Sequence, residues 1–401
     1  MTSPKSRNIL FYSENFCGEQ SRGGLEQATF RIAKALKETG QWEVFNAFRS
    51  KREGDEKAFY SNLIELSRSD SKFEKELENF IRSNRIDVVV NMSRFFRHKF
   101  IVRAAKKVNP DIKVLFMQHF APGSEKKKPT YASGWHLLKL NPLNPLYWLR
   151  TTVYPLIKLP RNLIWKKIYR DVYDESDKVI LLSEGYIESY KDIAGIQEDN
   201  KFTAIPNIFD LENEKVAEYS GVKEKRVLIL SRMDEIQKRI SLALKVWKKV
   251  MENDDLTDWH LDIVGSGHDI SLEKRLAKRL DLKNYTFHGW KNREPFMRRT
   301  PIMMMTSEYE GLPLSVLEAQ AYGCVPIAFD SFKSIHDVVT DDETGILIEN
   351  FGDIVTFANK LIDLMKNKDK RLELAEQGIK EVTRFSSKII VDRWQQMLNS
   401  L

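Results

Sequence analysis

The chain has 401 residues, which is more than one ordinary domain and predicts two or three. With 42% hydrophobic and 30% charged residues, it is not disordered or fibrous throughout. No apolar run reaches the ~18 residues of a membrane-spanning helix, and the apolar run at 9–12 is too short for a secretory signal. Two cysteines, Cys17 and Cys324, are too few for a disulfide framework. We therefore expect a cytoplasmic protein in a reducing environment.

The net charge of +7 is concentrated in one segment of the chain. Residues 126–170 contain ten Lys and Arg and no Asp or Glu, together with five of the 13 prolines and three of the eight tryptophans. The rest of the chain carries 54 basic residues against 57 acidic ones. The sequence therefore describes a slightly acidic protein with one strongly basic insert.

The first half of the chain alternates short apolar runs with amphipathic segments. Helices are predicted at 25–37, where Gly40 supplies a stop signal, and at the charged segment 72–82. The predicted strands are 8–12, 86–90, 112–117 and 178–182. Short apolar strands between helices are typical of a parallel sheet that is covered by helices on both faces.

The second half repeats this plan. Its predicted strands are 226–230, 260–264, 285–288, 302–305, 325–329 and 345–348, and its predicted helices are 239–251, 271–280, 291–299, 313–322 and 351–366. We therefore predict an α/β protein of two doubly wound domains that face each other across a cleft. The predicted domains are 1–208, with an insert at 122–170, and 209–385. A last helix at 386–401 could pack back on the first domain.

The basic insert interleaves its cations with aromatic and aliphatic residues, and three interpretations are open. Nucleic acid would use the cations for phosphates and the aromatic rings for stacking, but nothing else in the chain supports it. The segment could instead fold over its own domain. The interpretation that we favour is an anionic membrane surface, which attracts Lys and Arg and accommodates Trp and Tyr at the headgroup level. Because prolines divide the insert, we expect several short pieces and not one long helix.

The sharpest motif runs from Glu310 to Glu318 and reads EGLPLSVLE. It follows a predicted strand and begins a predicted helix, so we expect free amide groups at 314–316 to form a positive helix N-terminus suited to a phosphate. Two carboxylates beside such a helix start suit a sugar nucleotide, because one can bind the sugar hydroxyls and the other the ribose. The candidate donor-binding residues between the two carboxylates are Gly311, Leu312, Pro313, Leu314 and Ser315.

This spacing of two glutamates, with Gly-Leu-Pro after the first, resembles the signature of retaining glycosyltransferases with the GT-B fold. The chain is most similar to family 4, which contains bacterial enzymes of polysaccharide and lipopolysaccharide synthesis. The resemblance covers nearly the whole chain and is strongest from 226 to 348. It implies two Rossmann-like domains, a nucleotide diphosphate sugar as donor, and no cofactor.

Arg232 and Lys238 follow the first strand of the second domain, and they match the pair that neutralises the donor diphosphate in this family. The departing diphosphate gains negative charge as the glycosidic bond breaks, so two fixed cations lower that barrier. The glycines that usually accompany these residues are replaced by Ser231 and Arg239. The resemblance implies that Arg232, Lys238, Glu310 and His119 are the catalytic residues.

Other candidate residues lie where strands end. Gly23 and Gly24 resemble the family's glycine loop, and His119, after the third predicted strand, resembles its active-site histidine near the transferred sugar. Each also has a purely structural interpretation. The glycines could form a tight turn, and the histidine could be hydrogen-bonded within the protein at the end of a strand. The remaining candidates are His288 and Trp290, expected to contact the base through their backbone, Gly265 beside the nucleotide, and Ser183 and Asn207 at cleft-facing strand ends.

No metal site is predicted, because the paired aspartates of the chain do not follow strands and there is no Cys/His cluster of zinc type. We expect transfer of a hexose or N-acetylhexosamine from a UDP-sugar to a lipid-linked or polysaccharide acceptor. The protein would lie at the inner face of the cytoplasmic membrane, and no nucleic acid is expected as a partner. Two alternatives stay open: a sugar-nucleotide epimerase on the same fold, and an inactive scaffold that binds nucleotide sugars or membranes.

Overall fold

The computed structural model describes residues 6–19, 21, 23–50, 59–126, 135, 138, 142–143, 145–209 and 223–401. The chain divides into two compact units. Unit 1 comprises Met1–Gly123, Pro160–Ile208 and Phe385–Leu401, and unit 2 comprises Ser124–Leu159 and Phe209–Arg384. Each unit contains one parallel sheet with helices packed on it, which confirms the predicted fold class of two parallel α/β domains.

Unit 1 is built on a seven-stranded sheet in the order β3-β2-β1-β4-β5-β6-β7. Its strands are β1 (Arg7–Tyr12), β2 (Trp42–Phe48), β3 (Asn62–Glu65), β4 (Val88–Asn91), β5 (Lys113–Gln118), β6 (Lys178–Leu181) and β7 (Phe202–Ala204). Its helices are α1 (Gly24–Glu38), α2 (Asp70–Ser83), α3 (Phe95–Val108), the second half of α4 (Pro145–Glu175), and α5 (Gly185–Ala194). The central strands are buried on both faces because helices cover both sides of the sheet.

Unit 2 is built on a six-stranded parallel sheet in the order β10-β9-β8-β11-β12-β13. Its strands are β8 (Arg226–Leu230), β9 (His260–Val264), β10 (Tyr285–Gly289), β11 (Ile302–Met305), β12 (Val325–Phe329) and β13 (Ile346–Ile348). Its helices are α6 (Glu235–Lys238), α7 (Ile240–Val250), α8 (Ile270–Arg279), α9 (Glu294–Arg299), α10 (Leu314–Ala321), α11 (Ile354–Lys366) and α12 (Lys368–Val382). Because all strands are parallel, their carboxyl ends meet at one edge, where the loops gather.

The C-terminal helix α13 (Ser387–Asn399) belongs to unit 1, although it follows unit 2 in the chain. Trp394 is fully buried, and its ring meets that of Phe11 edge to face with centroids 6.4 Å apart. At the end of the helix, the Leu398 carbonyl accepts a hydrogen bond from the Arg7 guanidinium at 3.3 Å. These contacts anchor the end of the chain on the strand with which the fold begins.

The basic insert differs from the expectation of short pieces, which is wrong for 145–175. Helix α4 runs without interruption through Pro155 and Pro160. A proline removes one backbone hydrogen bond and clashes with the preceding turn. This cost of about 3 kcal/mol does not forbid a helix, because other interactions of the helix can offset it. The insert is also divided, because Ser124–Leu159 groups with unit 2 and only the second half of α4 with unit 1. Most of 127–144 lies outside the described residues.

No helix among the described residues combines the length and the apolar character that crossing a membrane requires.

Sequence periodicity had no distinct signal for β2, β3, α3 and α12. The strands β2 and β3 are flanked by polar residues, and α3 carries five Lys and Arg with no acidic residue, which hides its apolar stripe.

Candidate functional site

Two loops of unit 2 meet at the carboxyl edge of its sheet. Strand β8 leads into the turn that ends with α6, and the neighbouring strand β11 leads into the loop before α10. Lys238, the last residue of α6, forms an ion pair with Oε1 of Glu310. The side chains are only 16% and 10% exposed, so solvent screens this pair weakly. Residues 72 positions apart in sequence are thus brought into contact.

The Gln237 side chain joins this ion pair to Arg232. Its Oε1 accepts a hydrogen bond from the Arg232 guanidinium at 2.9 Å, and its Nε2 donates to Oε2 of Glu310 at 3.1 Å. The same Nε2 donates to the Tyr309 carbonyl at 3.2 Å. Gln237 is buried, so one amide fixes the spacing of a cation and a carboxylate. Sequence reasoning missed this residue, although its position beside Lys238 and its ability to both donate and accept could have suggested it.

Arg232 is the more accessible cation of the predicted pair. Its side chain is 59% exposed and contacts Asp234 at 3.4 Å. Asp234 itself is buried and caps α6 by accepting a hydrogen bond from the Gln237 amide. The loop thus holds Arg232 at its base and leaves the guanidinium open to an anion.

Arg239 occupies a backbone position that favours glycine. Its φ of 51° and ψ of 42° are left-handed, a conformation that costs an L-residue about 1 kcal/mol or more. The Arg239 guanidinium pairs with the Glu308 carboxylate, and Thr306 Oγ1 donates to the carbonyls of Lys238 and Arg239 at 3.0 and 3.1 Å. These contacts offset the cost of the left-handed backbone, so Arg239 can occupy a position where the resembled family usually has glycine.

Gly265 is required by close backbone contact. Its φ is +141°, and a Cβ atom built there would lie 1.8 Å from the Ser231 carbonyl oxygen. The turn after β9 therefore packs directly against the turn after β8, where the Ser231 amide donates to the Val264 carbonyl at 3.0 Å. Gly265 acts in this structure by letting the two loops approach each other.

The motif from Glu310 to Glu318 lies as predicted at the end of β11 and the start of α10, with one correction. We expected free amides at 314–316, but the amides of Leu314 and Val316 donate to the carbonyls of Leu312 and Pro313, both at 2.9 Å. Pro313, at the N-cap position, tightens the turn and makes these contacts possible. The phosphate role is therefore kept only for Ser315.

Glu318 lies inside α10 and is almost fully buried. Its Oε1 forms an ion pair with the Arg293 guanidinium at 2.9 Å. A ligand that approaches Glu318 therefore meets an arginine that already holds the carboxylate in place.

The His288 side chain is engaged inside the unit. Its Nε2 lies 2.7 Å from Oδ1 of the buried Asp262. The other oxygen, Oδ2, accepts hydrogen bonds from Arg226 and Arg299, each at 3.0 Å. These partners hold the pKa of Asp262 below its usual range, against the opposing effect of burial. Asp262 thus engages the His288 side chain, and the expected backbone contact of His288 and Trp290 with a base stays a prediction. The Trp290 side chain is 74% exposed.

In unit 1, Gly23 and Gly24 begin helix α1, Gly23 at its N-cap position. A Cβ on Gly23 would meet only the flexible carboxylate of Glu26, which accepts from Asn15 Nδ2 at 2.6 Å, and one on Gly24 would meet nothing within 4 Å. Neither glycine has a positive φ. The described structure therefore gives no internal reason for glycine at position 24.

His119 directly follows β5. Burial lowers the pKa of its imidazole to about 4, so the ring is neutral at pH 7, and its enclosed Nε2 has no hydrogen-bond partner within the described part of the chain. The neighbouring Gln118 donates to the Tyr169 hydroxyl at 3.1 Å, and that hydroxyl also accepts from the Gly123 amide at 2.9 Å. Tyr169 of α4 thus fixes both ends of the loop that carries His119.

Ser183 and Asn207 lie at the carboxyl ends of β6 and β7, on the same sheet edge as His119. The Ser183 hydroxyl accepts from the Gly185 amide at 3.2 Å and so caps the start of α5. The buried Oδ1 of Asn207 lacks a hydrogen-bond partner in the described residues. Of these two candidates, Asn207 is the one with an unused acceptor.

Comparisons with known proteins bear on unit 2 most strongly. Residues 212–381 match the family model described as Glycosyl transferases group 1. This stretch, less than half of the chain, is similar to the group 1 glycosyl transferases. The candidate residues Arg232, Lys238, Gly265, Glu310 and Glu318 all lie inside the matched stretch. The predicted resemblance to GT-B glycosyltransferases is confirmed, and the assignment to family 4 stays a prediction.

Two curated relatives have similar sequences. Poly(glycerol-phosphate) alpha-glucosyltransferase of Bacillus subtilis is 27% identical over 239 residues, 59% of this chain and 34% of that protein. UDP-Gal:alpha-D-GlcNAc-diphosphoundecaprenol alpha-1,3-galactosyltransferase of Escherichia coli is 28% identical over 209 residues, 48% of this chain and 50% of that protein. The chain therefore spans about a third to a half of the length of these relatives.

The structural similarity extends beyond residues 212–381. The crystal structure of Anabaena Alr3699/HepE in complex with UDP matches with a TM-score of 0.70 and 14% identity, over 98% of this chain and 100% of that one. At this identity the match shows the fold alone, and it supports the GT-B architecture for both units.

A buried acidic group lies beside the candidate site of unit 2 and was missed by sequence reasoning. Both carboxylate oxygens of Glu273 are buried without a hydrogen-bond partner among the described residues. Burial and the nearby carboxylates of Glu235, Asp269 and Asp234 raise the pKa of Glu273 to about 9, so it is protonated at pH 7.

Ligand atoms of Asp234, His268 and Asp269 lie within 4.8 Å of one another, a spacing that could hold a metal ion. Asp269 Oδ2 already accepts from the Glu235 amide at 2.8 Å and lies 3.1 Å from His268 Nε2. We assign these residues to the internal hydrogen bonding of the domain, and the absence of a metal requirement stays a prediction.

Proposed function

We propose that this protein is a retaining glycosyltransferase that transfers a hexose or N-acetylhexosamine from a UDP-sugar to a lipid-linked or polysaccharide acceptor in cell-surface glycan synthesis. The proposal rests on one observation above all, the contact between the Arg232–Lys238 loop and Glu310 at the carboxyl edge of the sheet of unit 2. This edge is where ligands bind in open α/β sheets.

Arg232 and Lys238 would hold the donor diphosphate. A guanidinium can bind two phosphate oxygens in parallel, whereas an ammonium acts as a compact charge. The negative charge on the diphosphate grows as the glycosidic bond breaks, so preorganised cations stabilise the transition state more than the ground state. Lys238 would then share its charge between Glu310 and a phosphate.

Glu310 would bind hydroxyl groups of the donor sugar. Donors from Lys238 and Gln237 fix its two oxygens, so the carboxylate is oriented before the sugar arrives. Glu318 would bind the ribose hydroxyls, with Arg293 holding it in place. The amide of Ser315 would face a phosphate at the start of α10.

His119 would act near the transferred sugar as a neutral imidazole. Its unpartnered Nε2 supports this role, because a buried nitrogen without a partner is costly unless a ligand satisfies it. The acceptor would bind along the edge of the unit 1 sheet that also carries Asn207. The loop positions of Gly23 and Gly24 suit a close approach of the donor or acceptor.

No carboxylate is assigned as a covalent nucleophile, and we propose same-face attack assisted by the leaving phosphate, with Arg232 and Lys238 replacing a metal ion. The names of the relatives support polymeric and diphosphoundecaprenol-linked acceptors for those proteins. A lipid-linked acceptor would be embedded in a membrane, and the location that we propose for the reaction is its cytoplasmic face.

The test is turnover of the Glu310→Ala variant with a panel of UDP-sugars and both classes of acceptor. A matched control is Glu343→Ala, which removes an exposed carboxylate from a loop of the same unit. We expect Glu310→Ala to lose at least a hundredfold in kcat/KM, about 2.7 kcal/mol of transition-state stabilisation, and the control to keep its activity.

Chromatography and the anomeric configuration of the product separate the alternatives. Transfer with retention supports the proposal. Conversion of the UDP-sugar without any acceptor would identify an epimerase, and binding of UDP-sugars without turnover would identify a scaffold. Unchanged turnover in Glu310→Ala would contradict the assigned site.

A further inference from the structure

One surface of unit 1 exposes large apolar side chains among cations. Phe96 of α3 and Leu163 and Ile164 of α4 are 59%, 61% and 58% exposed. Lys166 and Lys167, about one helical turn from Leu163 and Ile164 on α4, are exposed as well. We call these five residues the α3–α4 face.

The two helices are locked together beneath this face by aromatic rings. Trp165 of α4 packs between Phe95 and Phe96 of α3, with both ring centroids 5.9 Å from its own. The Tyr169 ring lies 4.6 Å from that of Phe95. Because Trp165 and Tyr169 form the inward side of α4, helical geometry turns Leu163, Ile164 and Lys167 to the opposite side. The exposed apolar side chains therefore sit on a rigid support.

We propose that the α3–α4 face docks on an anionic lipid bilayer. Charge complementarity decides for this occupant. The segment 93–108, which contains α3, carries six Lys and Arg, the segment 126–170 carries ten, and neither contains an Asp or Glu. Four of these cations pair with carboxylates outside the two segments, among them Lys167 with Asp171, and the two segments together keep a surplus of positive charge. Lys and Arg near an anionic membrane surface are attracted to its headgroups, and apolar side chains between them enter the boundary of the acyl chains.

A second copy of this chain fits the face less well. Two such faces would oppose cations to cations, and like charges brought together are unfavourable. The first half of α4 shares this character, because Trp148 and Leu149 are about half exposed there. The α3–α4 face therefore shares its mixture of cations and apolar side chains with the rest of the basic insert.

The inference deepens the proposed function and rests on it in one respect, that a lipid-linked acceptor is embedded in a membrane. The α3–α4 face is also connected to the candidate site through α4. Tyr169, two turns or fewer from the exposed residues on α4, holds Gln118 and the Gly123 amide on either side of His119. Vesicle binding needs neither donor nor acceptor, so failure of docking and failure of glycosyl transfer are distinguishable.

The experiment is co-sedimentation of the full chain with vesicles of phosphatidylcholine alone or with about 30% phosphatidylglycerol. Binding is measured at about 0.15 M and about 1 M salt, where the Debye length falls from about 8 to about 3 Å. We expect recovery with anionic vesicles that is lost at high salt, and little recovery with neutral ones. Equal recovery with both vesicle types would overturn the proposal.

Variants locate the surface. Lys166→Gln/Lys167→Gln should weaken partitioning about thirtyfold, since each basic residue at an anionic surface contributes about 1 kcal/mol. The control Lys278→Gln/Arg279→Gln removes the same charge from the exposed side of α8 and should retain binding. An equal loss in both variants would overturn the assignment of the face.

The apolar contribution is tested separately by Leu163→Ser/Ile164→Ser against the control Val355→Ser, an exposed apolar residue of α11. We expect the double variant to lose about tenfold in partitioning, since membrane affinity scales with buried apolar area, and to keep its thermal unfolding midpoint. Dimers that dissociate in this variant without lipid would assign the face to a second copy. Binding of a single-stranded oligonucleotide that Lys166→Gln/Lys167→Gln abolishes would assign it to nucleic acid.

Discussion

The Gln237 side chain donates a hydrogen bond to Oε2 of Glu310 at 3.1 Å, and its other end accepts from Arg232. One buried amide therefore orients both a cation and a carboxylate of the candidate donor site. A group with this role acts on catalysis through its neighbours and need not touch the substrate.

Replacing Gln237 should separate this positioning role from folding. In Gln237→Ala, Glu310 and Arg232 each lose a charge-assisted hydrogen bond worth about 1.5–3 kcal/mol, so kcat/KM for the donor should fall roughly tenfold to a hundredfold. Gln237→Glu should be worse, because it sets a second carboxylate against Glu310. Steady-state kinetics measure both variants. The exposed Gln377→Ala serves as control, and normal kinetics in Gln237→Ala would refute the positioning role.

Two glycines should respond to alanine in opposite ways. Gly265→Ala places a Cβ 1.8 Å from the Ser231 carbonyl oxygen at a positive φ, so the free energy of unfolding should fall by about 2 kcal/mol or more. Gly24→Ala meets no atom within 4 Å and lies in a helix, so stability should be kept or slightly raised. Denaturant unfolding measures both. A stable Gly24→Ala variant with reduced transfer would support a ligand close to that backbone, whereas full activity would argue against it.

His119 should act without titrating near neutrality. Burial lowers its pKa from 6.5 to about 4, so the ring stays neutral from pH 6 to 8 and kcat should show no His119 ionisation in this range. Because the folded pKa is depressed, the stability associated with this neutral ring is present above about pH 6.5 and is lost as the pH falls towards 4. His119→Ala should lower kcat more than the donor KM changes. An inflection of wild-type kcat near pH 6.5 that disappears in His119→Ala would contradict a buried, neutral ring.

Glu273 should make the protein less stable at high pH. Its folded pKa of about 9 is raised above the usual value of 4.5, so its contribution is fully present below about pH 4.5 and is lost as the pH rises through 9. Glu273→Gln removes this titration and should flatten the pH dependence of the unfolding midpoint between pH 5 and 9. Parallel profiles for the wild type and the variant would show that the carboxyl group does not titrate in this way.

The sequence predicted the elements that bury apolar strands and the residues that follow those strands. Arg232, Lys238, Glu310 and Glu318 could be chosen because their spacing after buried strands resembles the motifs of a known glycosyltransferase family. Their partners could not be chosen, since Gln237 and Arg293 reach the site only through the packing of loops distant in sequence. The same limit applies to Glu273, whose polar side chain gave no sign of burial.

Two expectations failed for local reasons. Helix α4 continues through its prolines. Each proline disfavours a helix, but intrinsic propensity is a weak predictor that the tertiary context can override. The expected row of free amides at 314–316 is shortened, because the turn at Pro313 satisfies two of them within the loop. Composition and spacing carry no information about such short-range hydrogen bonding.

The central claim is that the Arg232–Lys238 loop binds the diphosphate of a nucleotide sugar. Its most direct test is the thermal unfolding of the wild type and of Arg232→Gln/Lys238→Gln with UDP at about 100 times its dissociation constant. Binding at that concentration stabilises by about 2.7 kcal/mol, a shift of several degrees in the unfolding midpoint. We expect this shift in the wild type and its loss in the double variant. An equal shift in both proteins would contradict it.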